Sequence, residues 1–220
     1  SDWHGLVEAS AAIGVAFARD MPHGDPRVLL RHAELASERA REQGRHRYEV
    51  FDVAHHHALV DRLRLEQAMR EALEQDGFVV HYQPEYDLER GCWVAAEALV
   101  RWRQVDALQV AEAFIGVAES SGLILPLGRF VLARACRDAC AWPVQEPPLI
   151  LRVNVSAHQF DAVGLVDEVA AALAASGLPP ARLCLELTET TLMHDADNAV
   201  LTMQRLKALG VRLAIDDFGT

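Results

Sequence analysis

Apolar residues in the first third of the chain change between strand-length runs and helical spacing. The run at 9–18 (ASAAIGVAFA) predicts a strand, and the segment from Pro26 to Gln43 predicts a helix. RYEVF at 47–51 is typical of a second short strand. From 54 to 75, apolar residues recur at helical spacing among many charges, which predicts a long amphipathic helix.

After Gly77 the pattern becomes an alternation of strands and helices. Strands are predicted at 78–83, 92–102, 149–155, 183–188 and 211–217. Helices are predicted at 110–119, 126–141, 160–175 and 195–209. Such alternation implies parallel pairing and an α/β fold. We therefore divide the chain into a first domain at 1–53, a connecting helix at 54–76 and an α/β domain at 77–220.

Polar residues mark the ends of four predicted strands. They are Glu97 in AAEALVRWRQ, Asn154 in LRVNVS, Glu186 in LCLELTET, and Asp216 and Asp217 in LAIDDFGT. Reactive groups of α/β folds gather at the carboxyl ends of parallel strands. Residues two apart on a strand share a face, so Glu97, Leu99 and Arg101 point the same way. We expect Glu97 to lie among the other carboxylates, with Arg101 nearer the rim.

Several carboxylates brought together without a cation repel one another, and a hard divalent ion removes that repulsion. Carboxylate and amide oxygens, with no His or Cys among them, favour Mg²⁺ or Mn²⁺. The alternative is that each residue is an independent strand-end cap or surface group. That alternative is stronger for any one residue alone, whereas the set on four strands favours a cation site.

Composition and charge exclude several classes of protein. The hydrophobic fraction of 51% is typical of a globular chain, and the net charge of −11 argues against a partner that is a nucleic-acid polymer. No apolar run reaches the roughly 18 residues of a membrane span. The four cysteines form no CxxC pair. They fit a reducing cytoplasm, although the helical spacing of Cys136 and Cys140 leaves a zinc site as a weak alternative.

Several stretches in family order resemble the first part of an EAL domain, the bacterial phosphodiesterase domain that hydrolyses cyclic di-GMP. They span about Arg62 to Thr220 and read RLRLEQAMREAL, HYQPEYDL, AEALVRW, VAESSGLILPLGRFVL, RVNVSAHQF, LCLELTET and RLKALGVRLAIDDFGT. The residues before them resemble the C-terminal piece of a GGDEF domain, the α/β fold of diguanylate cyclases, without the GGDEF signature itself. The resemblance therefore implies a GGDEF–EAL tandem protein of bacterial signalling.

For the second part, the resemblance implies the N-terminal part of a (β/α)8 TIM-like barrel in which one strand runs against the others. Glu97, Asn154, Glu186 and Asp216 match metal ligands, and Asp217 matches the aspartate of a second metal. Arg101 matches the residue that binds substrate phosphate, while Gln83 and Leu99 match positions that line the ligand pocket. Glu189 matches a carboxylate that anchors the loop after DDFGT.

The implied reaction is two-metal hydrolysis of cyclic di-GMP to pGpG, with Mg²⁺ or Mn²⁺ as the two ions and Glu97, Asp216 and Asp217 as catalytic residues. We expect the chain to be cut at both ends and to lack the later catalytic lysine, glutamate and glutamine of the family. These 220 residues alone are then expected neither to hydrolyse the nucleotide nor to fold well, because an incomplete barrel exposes strand edges.

Other interpretations stay open at this point. The domain could be a degenerate EAL domain that binds cyclic di-GMP or a partner protein without cleaving it. Arg41 and Arg45 match basic positions that GGDEF domains use for GTP phosphate, but a plain surface charge explains both equally well. A homodimer and a tether of the parent protein to the inner membrane are neither required nor excluded, and a cytoplasmic location is expected for this part. The three histidines at 55–57 are expected to form a solvated helix start.

Overall fold

The computed structural model of the protein describes residues 10–20, 25–44, 46–104, 107–188 and 196–216. The chain divides into two compact units, Ser1–Arg64 and Leu65–Thr220. This division lies inside the helix that the sequence assigns to 54–76 as a connection. The three-part division at 53/54 and 76/77 stays a prediction.

The first unit contains two parallel strands and the helix between them. They are β1 (Ala12–Val15), α1 (Pro26–Glu42) and β2 (Arg47–Val50), with a 3-10 turn at Ala18–Asp20. The Asp25 carboxylate accepts a hydrogen bond from the Arg27 N–H at 2.9 Å and so caps the start of α1. α1 passes so close to β1 that a Cβ atom on Gly14 would collide with the Ala33 carbonyl. Only glycine permits this approach.

The second unit is built on one sheet. Its strands are β3 (Phe78–Asp87), β4 (Cys92–Arg103), β5 (Leu108–Val110), β6 (Ile150–Val155), β7 (Leu183–Thr188) and β8 (Arg212–Asp216). The order is β3-β4-β6-β7-β8, with the short β5 also paired to β4. β4, β6, β7 and β8 are parallel, whereas β3 runs antiparallel to β4. The α/β fold and the parallel pairing expected from the alternation of elements are confirmed.

Helices alternate with the strands along the chain. They are α2 (Val53–Glu74), α3 (Ile115–Ser121), α4 (Ile124–Cys140), α5 (Ala157–Asp161), α6 (Leu165–Ser176) and α7 (Ala196–Ala208). The single helix predicted at 160–175 is wrong, because α5 starts earlier at a Ser156 capping box and ends before Gly164, whose φ is 115°. The helix predicted at 110–119 is also wrong at its start, where β5 and a 3-10 turn at Ala111–Ala113 precede α3.

The apolar core lies between the helices and one face of the sheet. Alternate strand residues fill it, including Ala98, Val100, Trp102, Leu151, Val153, Val155, Leu183, Leu185 and Leu187. The remaining residues of the same strands must point to the opposite face, because side chains alternate along a strand. Apolar burial against the helices therefore fixes which polar residues share the other face.

The histidines at 55–57 are not uniformly solvated, so that expectation is wrong for the middle one. His55 and His57 are exposed, but the ring of His56 packs against Phe51 with 5.1 Å between centroids. His32 stacks on the same Phe51 ring at 3.9 Å. Burial lowers the pKa of His32, and the nearby His56 and His57 lower it further. The two half-buried histidine rings thus pack against the buried Phe51 in the first unit.

Among the described residues, no helix combines the length with the apolar character that crossing a bilayer demands.

Replacing Leu151 by Ala tests the assignment of faces. Leu151 is 0% exposed against the helices, so its truncation is expected to lower the free energy of unfolding by about 2–5 kcal/mol. The matched control is Leu88→Ala, since Leu88 is 90% exposed and should change stability by less than about 0.5 kcal/mol. Urea denaturation of both variants measures the difference, and equal midpoints would contradict the buried position of Leu151.

Candidate functional site

The face of the sheet opposite the helices carries the residues that the sequence singles out. On β3 and β4, Gln83 pairs with Glu97. Leu99 and Arg101 follow Glu97 at alternate positions and share its face. On the parallel strands, Asn154 of β6 pairs with Glu186 of β7. The register thus brings these six predicted site residues to one side of one sheet.

Glu97 and Asn154 are in direct contact across β4 and β6. The Asn154 side-chain N–H donates to Glu97 Oε1 at 2.7 Å. The amide can offer its oxygen to a cation while its N–H₂ group holds the carboxylate. Glu97 therefore contacts the amide of a neighbouring strand. The expectation that it lies among the other carboxylates stays a prediction.

Glu186 is the most buried of these groups, with 7% of its surface exposed. A buried carboxylate needs a compensating charge, and Arg152 supplies one: its Nη1 donates to Glu186 Oε1 at 2.5 Å. The Arg152 Nε also lies 2.9 Å from Glu85 Oε1, although its N–H forms no hydrogen bond of acceptable angle. The hydrogen bond with Glu186 raises the pKa of Arg152, burial lowers it, and Glu85 raises it again. Arg152 is therefore a fixed positive charge between two carboxylates.

Sequence analysis did not identify Arg152 or Glu85, although the strand pattern contains both. Arg152 lies two residues before Asn154, and Glu85 lies two residues after Gln83. The period of two puts each on the same face as a residue that was identified. Looking for compensating charges on that face would have found the pair.

The residues predicted to bind substrate lie on the same face of the sheet. Arg101 is half-buried and its Nη1 donates to the Val100 carbonyl at 2.9 Å. Gln83 is exposed and Leu99 is half-buried. A cavity of about 220 Å³ with mainly apolar walls from β4, α3 and α4 includes Leu99, Asn154 and Glu186. The candidate cation site therefore adjoins a cleft with space for part of a ligand.

Part of the predicted metal set lies outside the described residues. Asp217 is outside these ranges, and so is the side chain of Asp216, whose backbone ends β8 opposite Thr188. Glu189, predicted to anchor a loop, is outside them as well. Within the described ranges, no three His, Cys, Asp or Glu side chains approach closely enough to hold a metal. The donors that are described on β4, β6 and β7 are two carboxylates and one amide, a set that suits Mg²⁺ or Mn²⁺. Their role as ligands stays a prediction.

The alternative of a zinc site at Cys136 and Cys140 has little physical support. Cys136 is buried in the core, and that burial raises the pKa of its thiol to about 12. Zinc requires the deprotonated thiolate. The exposed Cys140 instead donates through Sγ to the Ser176 carbonyl at 3.2 Å.

Comparison with known proteins gives a family match and several relatives. The sequence model of the EAL domain matches residues 66–220. The chain is 38% identical over 219 residues to the bifunctional diguanylate cyclase/cyclic di-GMP phosphodiesterase MucR of Pseudomonas aeruginosa, a match that covers 97% of this chain and 31% of that protein. It is 42% identical over 194 residues to an uncharacterized signaling protein of Caulobacter vibrioides, covering 88% of this chain and 24% of the relative. The chain thus spans about a third or less of these relatives.

Solved structures give the same picture. A structure described as the PaMucR phosphodiesterase in complex with c-di-GMP is 41% identical, with a TM-score of 0.68 over 71% of this chain and 64% of that one. The FimX EAL domain of Xanthomonas citri in complex with c-diGMP is 26% identical, with a TM-score of 0.62 over 74% of this chain and 63% of that one.

Replacing Asn154 by Asp tests whether the contact with Glu97 is a cation site. The change turns a 2.7 Å hydrogen bond into a contact between carboxylates, so without divalent ions the free energy of unfolding should fall by about 1 kcal/mol. Added Mg²⁺ should recover that loss, as measured by urea denaturation.

Gln67→Glu is the matched control, because Gln67 donates to Glu71 Oε1 at 2.8 Å on an exposed helix face. It creates the same carboxylate pair without further oxygen donors. We expect a loss of about 0.2–0.5 kcal/mol that Mg²⁺ does not recover. Equal recovery in both variants would contradict a specific site at Glu97 and Asn154.

Proposed function

We propose, because this chain belongs to the EAL domain family, that the full-length protein hydrolyses one phosphodiester bond of cyclic di-GMP. One water is added across a P–O bond, and the product is the linear dinucleotide pGpG. The observation that carries the proposal is the contact of Glu97 with Asn154, which in turn pairs in register with Glu186. Three oxygen-bearing side chains thus lie on neighbouring strands of one face, and such oxygens can hold the divalent ions that assist phosphodiester hydrolysis.

Mg²⁺ or Mn²⁺ would be held by Glu97, Asn154, Glu186 and Asp216, and a second ion by Asp217. Bound there, the two ions supply Lewis-acid chemistry that lowers the pKa of a water molecule and neutralises charge on the phosphodiester. The protein residues fix the positions of the oxygens. Asn154 holds the Glu97 carboxylate by its side-chain N–H, which orients one oxygen and leaves the other to a ligand.

The remaining predicted residues act on the substrate and on a loop. Arg101 would bind a phosphate oxygen pair through its planar guanidinium, and Gln83 and Leu99 would line the nucleotide pocket. The position of Arg101 two residues beyond Leu99 on the same strand face supports a placement near the rim. Glu189 would anchor the loop that follows Asp217.

For the fold, we propose that 77–220 is the N-terminal part of a (β/α)8 barrel and that 1–53 is the C-terminal piece of a GGDEF domain. Four parallel strands joined by helices, with β3 antiparallel, support the first assignment. The match to MucR covers 97% of this chain and so includes the first unit, which supports the assignment of 1–53 to a GGDEF domain.

GTP binding by the GGDEF piece has weaker support, because Arg41 is exposed and Arg45 lies outside the described residues. A homodimer and a cytoplasmic location of this part complete the proposal.

A receptor that binds cyclic di-GMP without cleaving it is the second candidate. The Arg152–Glu186 ion pair favours this candidate, because Glu186, a proposed metal ligand, already has a positively charged partner. Measuring both nucleotide binding and pGpG formation by the full-length protein separates the two functions.

Replacing Glu97 by Ala in the full-length protein should reduce pGpG formation by about 100-fold or more, because a cation ligand is lost. The assay is chromatography of the nucleotide after incubation with Mg²⁺. Glu89→Ala is the control, since Glu89 is exposed in the turn between β3 and β4 and should leave the rate unchanged. Normal turnover by the Glu97 variant would refute the proposed hydrolysis mechanism.

Replacing Arg101 by Ala should chiefly weaken substrate binding. Loss of a hydrogen-bonding charge should raise KM by about tenfold or more, with a smaller change in kcat. Arg103→Ala, which removes an exposed arginine from the end of the same strand, should have little effect. An unchanged KM in the Arg101 variant would argue against a phosphate-binding role.

A further inference from the structure

We infer that Arg152 is a built-in counter-cation that weakens the binding of divalent ions at the proposed site. The inference rests on the proposed function, since it concerns the same group of oxygen ligands. It assigns a role to a residue that neither the strand-end pattern nor the matched family motif identifies.

The contacts of Arg152 define its position. Its Nη1 lies 2.5 Å from Glu186 Oε1 on the neighbouring β7, and its Nε lies 2.9 Å from Glu85 Oε1 on β3. β4 lies between β3 and β6 in the sheet order, so the side chain reaches across one strand to Glu85. On β4, the register partner of Arg152 is Glu97 and the register partner of Glu85 is Ala95, two residues earlier. The side chain therefore crosses β4 diagonally.

The burial of the three groups makes the charge effective. Glu186 is 8% exposed at its side chain, Arg152 33% and Glu85 36%. Charges that are partly removed from water interact more strongly than fully exposed ones. In a sheet without a bound metal, the guanidinium therefore offsets two carboxylates that would otherwise repel each other across the same face.

The same arrangement opposes a divalent ion. A divalent cation held by Glu186 would bind a carboxylate oxygen directly. It would then share that carboxylate with the guanidinium, and the two positive charges would repel each other at short range. Binding of the ion must either displace the Arg152 hydrogen bond or proceed beside it. In both cases the affinity for the ion is lower than the oxygen ligands alone would give.

A merely structural role predicts a different result. If Arg152 only held Glu186 in place, its removal would disorder a ligand and weaken ion binding. If its charge opposes the ion, its removal strengthens binding. Two variants separate the effect of the Arg152 charge from the effect of its side-chain shape. Arg152→Met keeps a long side chain without the charge, whereas Arg152→Lys keeps the charge.

The experiment measures Mn²⁺ binding to the metal-stripped full-length protein without nucleotide, by electron paramagnetic resonance of the free ion. We expect Arg152→Met to bind Mn²⁺ about tenfold more tightly than the wild type, and Arg152→Lys to stay within about twofold. Arg129→Met is the matched control, because it removes the same charge from an ion pair with Glu168 on the helices and should leave affinity unchanged. Mn²⁺ should also raise the melting temperature of Arg152→Met more than that of the wild type.

Removal of Arg152 takes a positive charge away from both Glu85 and Glu186, so a second variant guards against misfolding. Arg152→Met combined with Glu85→Gln relieves that repulsion and should still bind Mn²⁺ more tightly than the wild type. If a folded variant binds Mn²⁺ no more tightly than the wild type, the inference is overturned. A wild-type protein that binds no Mn²⁺ contradicts the proposed function itself, whereas normal wild-type binding with no gain in the variants contradicts only the role of Arg152.

Discussion

The constraint on which the candidate site depends is the alternation of side chains along strands that are covered by helices on one face only. Leu151, Val153 and Val155 must face the helices to remove their apolar surface from water. Arg152 and Asn154 are thereby forced to the other face. The same rule acts on β4 and β7, so Glu97 and Glu186 lie on that side of the sheet as well. The chemistry of the site is a consequence of how the core is buried.

This constraint explains why much of the fold follows from the sequence. The strand at 183–188 is bounded as predicted, because Leu183, Leu185 and Leu187 recur at every second position, the spacing expected of a strand. The segment at 160–175 is predicted as one helix because helical spacing of apolar residues continues across Gly164. The positive φ of Gly164 instead separates two helices. β5 is not predicted from the sequence. Its three residues, which pair with β4, are too few for their pattern to distinguish a strand from the start of a helix.

For the site, sequence reasoning located groups by what they could bind rather than by what they contact. It placed Glu97 and Asn154 near the ends of successive strands, because the carboxyl ends of parallel strands coincide. The structure shows the two side chains in contact. It did not identify the pairing of Glu186 with Arg152, because cross-strand contacts depend on register, and a one-residue slip would place the two on opposite faces. The local pattern specifies which face a residue occupies, but only the assembled sheet specifies its partner.

The burial of Glu186 connects stability to function. A carboxylate that is 7% exposed is costly unless a positive charge lies beside it, and the chain supplies that charge from its own β6 strand. A divalent ion can offset the same carboxylate more strongly, because it carries twice the charge and binds at shorter range. The guanidinium and the ion are therefore alternative solutions to one electrostatic problem, and the balance between them sets the ion concentration at which the site fills. A sheet with fewer internal cations would bind metal more tightly, but it would pay for that affinity with repulsion between its carboxylates whenever the metal is absent.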